Sequence, residues 1–369
     1  MKGAPITTWR SRPFRKPTLK DGGVSDDQEI TELLGDGIAE ELRKSVHAVA
    51  DALPGNYRFN TVDLSYETRK KGARHLYDEA VAPMHRTGIG LKYPTATVDE
   101  SPNAVLRKLL KFSVIHRPIS TIPGIKTNFT GKIDLDIVRV ATGGTYDDPG
   151  QMLGDYAAVS LRVVDRKTCE QAAQYAFSIA MRDRKSLTSS SKFTIQRVTD
   201  GLFEDIVDEV SREVQYSGQI EHRRELFDAL LAKLVMNPEP FQVVLVLNEY
   251  GDFLSDLASG LVGSLGLGAS VSLSFDDKGR VSVAMFDATH GTAPDIAGQD
   301  KANPTAILLA FSMLLAHIGD TGPAEAIRAG LFDCMDEGET TGDLGGPRGT
   351  ESFTQALIAR VRNRLEKSK

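Results

Sequence analysis

Hydrophobic and polar residues repeat with two different periods along most of the chain. The run VVLVL at residues 243–247 is wholly aliphatic, as in a strand covered on both faces. The segment IDLDIVRV at 133–140 alternates instead, which predicts a strand with one polar face. Apolar residues three or four apart predict helices in IAEELRKSVHAV (38–49) and FTQALIARVRNRLEK (353–367). Strands that alternate with helices in this way predict an α/β fold.

Two aspartates stand in the apolar segment DFLSDLASGLVGSL (252–265), which reads as a helix after a break at 248–251. Asp252 and Asp256 are four residues apart and therefore share one helix face, in the first turn of this predicted helix. Acidic groups at that place can cap the helix, or they can ligate a hard divalent cation. The pattern alone leaves both interpretations open.

Composition narrows the class of protein. The 369 residues are 41% hydrophobic and 25% charged, as in a soluble globular protein long enough for two domains. A net charge of −6 argues against a nucleic-acid partner, and no apolar run predicts a membrane span. Two cysteines and no signal peptide lead us to expect a cytoplasmic protein. A basic N-terminal extension is expected over residues 1–28.

Charged residues in apolar surroundings suggest the chemistry of a site. Arg107, Arg117 and Arg139 are such residues, and arginine can bind a carboxylate with two parallel hydrogen bonds. Ser101 and Asn103 add neutral polar groups nearby. Together they predict a site for a small molecule with several negative charges. Carboxylates that could bind a cation are Asp228, Asp252 and Asp256.

A long loop, FDATHGTAPDIAGQDKANPTA (286–306), precedes an apolar helix. Glycines, prolines and the polar residues His290, Asp295 and Asn303 make it a candidate for binding a nucleotide. It lacks the GxGxxG pattern of a dinucleotide-binding turn. The residues by themselves therefore indicate an anionic ligand and a metal ion, with a nucleotide as a third candidate.

Several segments resemble one known family in the order in which they occur there. NEYGDFLSDLASGLVGSLGLGAS (248–270) and HGTAPDIAGQDKANPTA (290–306) are similar to the two signature segments of the metal-dependent β-decarboxylating dehydrogenases, which act on isocitrate, 3-isopropylmalate and homoisocitrate. Further matches are GDGI (35–38), SPNAVLRKLL (101–110), SKFTIQRVTDGLF (191–203) and TGDLGG (341–346). The resemblance extends from about Glu29 to Leu365.

This resemblance implies a large cofactor-binding domain around a mixed sheet, residues 29–98 and 240–369. It also implies a smaller α/β domain, residues 99–239, that forms the interface of a homodimer. Asp252 and Asp256 of one protomer, with Asp228 of its partner, would hold Mg²⁺ or Mn²⁺. Lys192, contributed across the interface, would remove the proton of the substrate's 2-hydroxyl, and Tyr146 would protonate the enol after loss of CO₂.

The same resemblance assigns the ligands of substrate and cofactor. Arg107, Arg117 and Arg139 would bind the substrate's carboxylates. An acidic residue in the nucleotide loop repels a 2′-phosphate but can accept hydrogen bonds from a free ribose hydroxyl, so NAD is favoured over NADP. The residues expected to contact NAD are Thr194, His290, Gly291, Asp295, Ile296 and Asn303.

The substrate's third substituent is the feature that the resemblance defines least closely. SPNAVLR resembles the isocitrate-type pattern, so Thr97, Ser101 and Asn103 would bind a distal carboxylate. VATGGTY (140–146) departs from the family's usual ENTEGEY, which removes negative charge beside the anion pocket, and SSSKFT (189–194) departs around the lysine. These changes leave a 3-phosphonomethylmalate, 3-isopropylmalate or homoisocitrate substrate open. A non-catalytic regulatory subunit is a second class of function, although all the expected catalytic residues are present.

Overall fold

The computed structural model describes residues 27–263 and 267–367, so nearly all of the expected basic extension lies outside the described residues. Within these ranges the chain forms twelve strands and ten α-helices. The strands are β1 (Asp27–Leu34), β2 (Asn56–Asp63), β3 (Ile89–Lys92), β4 (Val114–Ser120), β5 (Asp134–Val140), β6 (Gln151–Leu153), β7 (Ala157–Val159), β8 (Leu187–Ser191), β9 (His222–Leu226), β10 (Val243–Val246), β11 (Ala269–Phe275) and β12 (Val281–Ala288). The helices are α1 (Ala39–Asp51), α2 (Tyr66–Thr87), α3 (Pro102–Leu109), α4 (Arg166–Asp183), α5 (Thr199–Ser211), α6 (Phe227–Met236), α7 (Asn248–Val262), α8 (Thr305–Ile318), α9 (Thr321–Asp336) and α10 (Thr350–Lys367).

Ten strands form one mixed sheet in the order β2-β1-β3-β12-β11-β4-β5-β10-β8-β9, and β6 and β7 form a separate hairpin. The pairs β11·β12, β4·β11 and β4·β5 are antiparallel, and the other neighbours in the large sheet are parallel. The large mixed sheet with its helices confirms the predicted α/β fold. The predicted domain boundaries near residues 98 and 240 stay a prediction. One sheet crosses the second boundary, since β10, which follows it, pairs with β5 and β8, which precede it.

Hydrophobic clusters cover both faces of the sheet, which explains the unbroken apolar run of β10. The predicted polar face of β5 is wrong, because residues 135–140 are all buried, Asp136 and Arg139 among them. In β10, Val243 and Leu245 belong to one cluster, while Val244 and Val246 belong to another on the opposite face. The predicted strand at 243–247 is confirmed, because the apolar residues on both of its faces are buried. Across the described ranges, no helix has the length and apolar content needed to cross a bilayer.

Helix α7 begins earlier than the sequence predicts. The sequence predicts that residues 248–251 separate the strand from the helix, but these residues form the first turn of the helix. Gly251 is required there because a Cβ atom would lie 2.5 Å from Cγ of Arg139, which packs against it. Asp252 therefore stands beyond the first turn, and the helix has no side-chain cap. The capping interpretation of the two aspartates is thus wrong.

Candidate active site

Charged side chains gather on one face of the sheet. Arg139 is two residues from Ile137 on β5, and Arg117 is two residues from both Ile115 and Ile119 on β4, so each arginine shares a face with these isoleucines, the face covered by α2, α3, α6 and α7. Helix α3 contributes Arg107 to the same place. The site therefore lies on one face of the sheet, among helices of two hydrophobic clusters, and not at an edge of the sheet.

Few carboxylates pair with the three arginines. Arg139 pairs with Asp252, and Arg117 Nη1 lies 3.6 Å from Asp252 Oδ1. Arg117 Nε is buried without a hydrogen-bond partner, and Arg107 has no carboxylate within 4.0 Å, in the part of the chain that the structure describes. Burial and the neighbouring charges of Arg107 and Arg117 lower the pKa of Arg139 to about 9. A buried cluster with this excess of positive charge is built to receive an anion.

Asp252 joins these arginines to a candidate cation site. Its side chain is 38% exposed. Burial alone would raise the pKa of this carboxyl, but the charges of Arg139 and Arg117 outweigh burial and the pKa lies below its usual value. Asp256 lies one turn further along the same face of α7 and is exposed. Ionised carboxylates are the ligands that Mg²⁺ and Mn²⁺ prefer, so this pair fits such an ion.

Asp228 does not lie with the other two aspartates in the same chain. It belongs to the first turn of α6, and its Oδ1 lies 2.9 Å from Lys192 Nζ. Among the described residues, no three His, Cys, Asp or Glu side chains form a metal-binding group. One chain therefore contains two separate sets: an arginine half-site of Arg107, Arg117, Arg139, Tyr146, Asp252 and Asp256, and a lysine half-site of Lys192 and Asp228.

Tyr146 belongs to the arginine half-site. Its hydroxyl lies 3.4 Å from Asp252 Oδ2, and the Arg139 guanidinium lies 5.9 Å from the centre of its ring. Burial, followed by the Asp252 carboxylate, raises the pKa of Tyr146 above its usual value. The phenol therefore keeps its proton at neutral pH.

The segment expected to read the distal substituent borders this half-site. Ser101 is the N-cap of α3 and accepts a hydrogen bond from Ala104 N at 3.4 Å. Asn103 Oδ1 is buried with no partner among the described residues, whereas Thr97 is exposed. Asn103 can thus be satisfied by a polar ligand group.

The expected cofactor ligands lie mostly in the loop before α8. At the end of this loop Asn303 donates to Asp343 Oδ2 at 2.9 Å, and at its start His290 Nδ1 lies 3.0 Å from the carbonyl oxygen of Gly291. Asp295 is exposed and Ile296 is half-buried. Thr194 lies outside this loop. It stands two residues after Lys192, which directly follows β8.

Sequence reasoning missed several charged residues around the site. Lys92 is buried at the end of β3, opposite Asp287 in the strand register. Burial lowers its pKa to about 8, opposed by the Asp287 carboxylate. The only signal in the sequence is a lysine that ends the apolar run IGLK. Other missed residues, buried around the two half-sites, are Arg162, Asp200, Asn248 and Glu249.

Glu249 places one carboxylate beside the VATGGTY segment. Its side chain lies against Gly144, where a Cβ atom would be 1.9 Å from Glu249 Oε2. Its Oε1 lies 3.5 Å from Thr145 Oγ1 and pairs with Arg162. This carboxylate lies outside the segment and pairs with Arg162, so the expected loss of negative charge beside the anion pocket stays a prediction.

The fold and the site together define an α/β enzyme for a small polyanion, with carboxylates suited to a divalent cation. A family model described as isocitrate/isopropylmalate dehydrogenase matches residues 29–360. Subunit 2 of the mitochondrial NAD isocitrate dehydrogenase of Kluyveromyces lactis is 37% identical over 94% of this chain and 93% of its own length. A regulatory subunit of the mitochondrial NAD isocitrate dehydrogenase of Dictyostelium discoideum is 33% identical over 93% of this chain and 95% of its own length. The crystal structure of isocitrate dehydrogenase from Methylococcus capsulatus has a TM-score of 0.83 at 33% identity and covers 91% of this chain and 99% of that one.

The chain therefore belongs to the isocitrate/isopropylmalate dehydrogenase family. This confirms the resemblance and the expectation of a dehydrogenase. The expected cytoplasmic location is contradicted, because the similar NAD isocitrate dehydrogenase subunits are named as mitochondrial proteins. A low cysteine count argues against an oxidising compartment but does not separate the cytoplasm from other reducing compartments, which is why that inference failed.

Proposed function

We propose that this protein catalyses the NAD-dependent oxidative decarboxylation of isocitrate, or of a close 3-substituted malate, to a 2-oxo acid, CO₂ and NADH. The buried cluster of Arg107, Arg117 and Arg139 is the observation that carries the proposal. Its charges exceed those of the carboxylates that pair with them, so a ligand with several carboxylates completes it. The names of the similar proteins supply the particular substrate and cofactor.

Asp252 and Asp256 would hold Mg²⁺ or Mn²⁺ together with Asp228 of a second chain. The exposed carboxylates of Asp256 and Asp228 are accessible to an ion placed between two protomers. When bound, such an ion acts as a Lewis acid toward the substrate's C2 oxygen. Arg139 and Arg117 keep Asp252 ionised and hold the substrate's carboxylates beside it.

Lys192 and Tyr146 would move the two protons of the reaction. Lys192 Nζ would take the proton of the 2-hydroxyl when hydride leaves C2, and NAD⁺, when bound, would be the hydride acceptor. Its side chain is 30% exposed and reaches Asp228, so its amine lies at the rim of the half-site. Tyr146 keeps its proton at neutral pH and can then deliver it to carbon after CO₂ is lost.

Exposed apolar side chains support an assembly of at least two chains. Tyr156, in the β6–β7 hairpin, is 100% exposed, and Met152 and Leu153 beside it are also exposed. Val198, close to Lys192 in sequence, is 83% exposed. Apolar surface of this extent marks a protein interface. A homodimer is our proposal, whereas the similar eukaryotic proteins are named as subunits.

The buried side-chain amide of Asn103 has one atom without a partner among the described residues. With its NH₂ group in that position, the amide can donate a hydrogen bond to a carboxylate, which favours a polar third substituent over the isopropyl group of 3-isopropylmalate. The glycines of VATGGTY also leave a phosphonate substituent as a candidate. The test is NADH production by the purified chain with Mg²⁺ and NAD, comparing isocitrate, 3-isopropylmalate, homoisocitrate and 3-phosphonomethylmalate, with NADP as the control cofactor. Highest kcat/KM for isocitrate is expected, and Asn103→Ala should lower it while sparing 3-isopropylmalate.

The same assay separates a catalytic chain from a regulatory one. One similar protein is named as a regulatory subunit, but Lys192, Tyr146 and the three arginines are all present here. Turnover by the chain alone is therefore expected. Binding of isocitrate without NADH production from any of the four substrates would favour the regulatory function.

A further inference from the structure

Arg162, between β7 and α4, contacts two segments that are far from it and from each other in sequence. Its Nε and Nη2 donate to Asp200 Oδ1 at 3.1 and 3.0 Å, and its Nη1 pairs with Glu249. The guanidinium also lies over the ring of Tyr250, 5.0 Å from its centre. We call Arg162, Asp200, Glu249 and Tyr250 the Arg162 cluster. Asp200 is completely buried and Glu249 nearly so, which makes the position of this arginine well determined.

One branch of the cluster leads to the lysine half-site. Asp200 Oδ2 accepts a hydrogen bond from the backbone N–H of Lys192 at 2.8 Å and another from the Tyr250 hydroxyl at 2.9 Å. The carboxylate thus fixes the first residue after β8. The direction in which the Lys192 side chain leaves the strand depends on this contact.

The other branch leads to the arginine half-site. Glu249 lies in the first turn of α7, three residues before Asp252, and its Oε1 faces Thr145 Oγ1. Gly144, next to Thr145, exchanges two backbone hydrogen bonds of 2.7 and 3.1 Å with Val163, the residue after Arg162. The loop that carries Tyr146 and helix α7, which carries Asp252 and Asp256, therefore both contact the segment that carries Arg162.

We propose that Arg162 is a positioning residue for both half-sites of its chain. This inference rests on the proposed function, in which each active centre combines the arginine half-site of one protomer with the lysine half-site of its partner. The two half-sites that one Arg162 holds then serve two different active centres. Loss of this single side chain consequently disturbs both centres of a dimer, although it touches no substrate.

Hybrid dimers test the two branches separately. A chain with Lys192→Met keeps its arginine half-site, and a chain with Arg139→Met keeps its lysine half-site. Co-expression with two affinity tags gives dimers in which one active centre is intact. Arg162→Met is then introduced into either chain, and kcat and KM for isocitrate are measured with NAD and Mg²⁺.

Both placements should lower kcat by about tenfold to a hundredfold, because small misplacements of reacting groups cost that much. KM should change less than about threefold, since the arginines that bind the substrate remain. An effect in only one placement, or in neither, overturns the inference. Inactive hybrids without the Arg162 change would overturn the composite centre and this inference with it.

Two further variants distinguish positioning from general loss of structure. Arg162→Lys keeps the charge but cannot hold Asp200 and Glu249 with a planar fork, so a smaller loss in both placements is expected. Arg166→Met breaks the exposed Arg166–Glu209 pair between α4 and α5 and should leave kcat unchanged in both. If Arg162→Lys hybrids have a lower melting temperature but full kcat in either placement, Arg162 has only a structural role there.

Discussion

Two buried groups of charges lie close together in this protein and differ in one respect. Around Asp136, each carboxylate oxygen has a cationic or donor partner: His116 Nε2 at 2.8 Å and Lys185 Nζ at 2.8 Å. In the arginine half-site, Arg117 and Arg139 compete for the single carboxylate of Asp252. The first group is complete in the folded chain, whereas the second needs a ligand. Charge balance, more than burial, therefore separates a structural network from a binding site.

The largest expected effect follows from removing one arginine of the unbalanced group. Arg139→Met should lower kcat/KM for isocitrate by about 10²- to 10³-fold, because loss of a buried charged contact costs about 2–5 kcal/mol. The free energy of unfolding should fall much less than this, since the remaining arginines repel each other less. Steady-state kinetics and urea unfolding measure the two. A large loss of stability with unchanged kcat/KM would contradict the distinction.

The balanced group should behave in the opposite way. Asp136→Asn leaves the buried Lys185 with Asp134, 3.1 Å away, as its remaining carboxylate partner. Removing one member of a buried pair costs about 3–5 kcal/mol of unfolding free energy when the other is left alone, so a loss of about 3 kcal/mol or less is expected here. The activity of the folded fraction should be unchanged, because Asp136 contacts neither half-site. Asp183→Asn, whose partner is the adjacent Arg182, is a milder control.

The same carboxylate predicts the response of stability to acid. Burial would raise the pKa of Asp136, but the hydrogen bond from His116 and the charge of Lys185 hold it well below its usual value. A folded-state pKa below the unfolded value of about 3.9 stabilises the protein above that pH, and the stabilisation is lost as the pH falls further. Urea unfolding should be measured from about pH 6 to about pH 3, where carboxyl groups begin to titrate. As the pH falls, the free energy of unfolding should decline less in Asp136→Asn than in the unchanged protein.

Ligand binding should also distinguish the two groups, through a smaller change in the free energy of unfolding. A ligand at a hundred times its Kd stabilises the folded state by about 2.7 kcal/mol. Isocitrate with Mg²⁺ should therefore raise the melting temperature of the unchanged protein and of Asp136→Asn by similar amounts, and that of Arg139→Met hardly at all. An equal shift in all three proteins would place the ligand elsewhere.

The sequence predicted the elements of the fold where a local pattern suffices. β5, β10, α1 and α10 occur where their periodicity indicates, although the alternation of β5 does not reveal that both of its faces are buried. The first turn of α7 was missed because Gly251 looks like a helix breaker. Only the tertiary structure shows that the space it leaves is filled by Arg139.

The site was predictable to a similar degree. Apolar surroundings singled out Arg107, Arg117 and Arg139, which the structure brings together. The Arg162 cluster could not be found in this way, because Asp200 and Glu249 look like ordinary surface acids on helices. Their burial depends on contacts between segments that no local pattern records.

Asp295 offers the smallest predicted effect, since it belongs to neither buried group. It is exposed on the cofactor loop, where solvent screens its charge, so it should contribute only about 0.2–1 kcal/mol to the repulsion of a 2′-phosphate. Asp295→Asn should raise the ratio of kcat/KM with NADP to that with NAD by about fivefold or less. Asp277→Asn, an equally exposed change in the turn between β11 and β12, should leave the ratio as it is. A change on the order of a hundredfold at Asp295 would mean that the loop closes over the cofactor and buries this carboxylate, which would make the cofactor site a third region where charge must be balanced by the ligand.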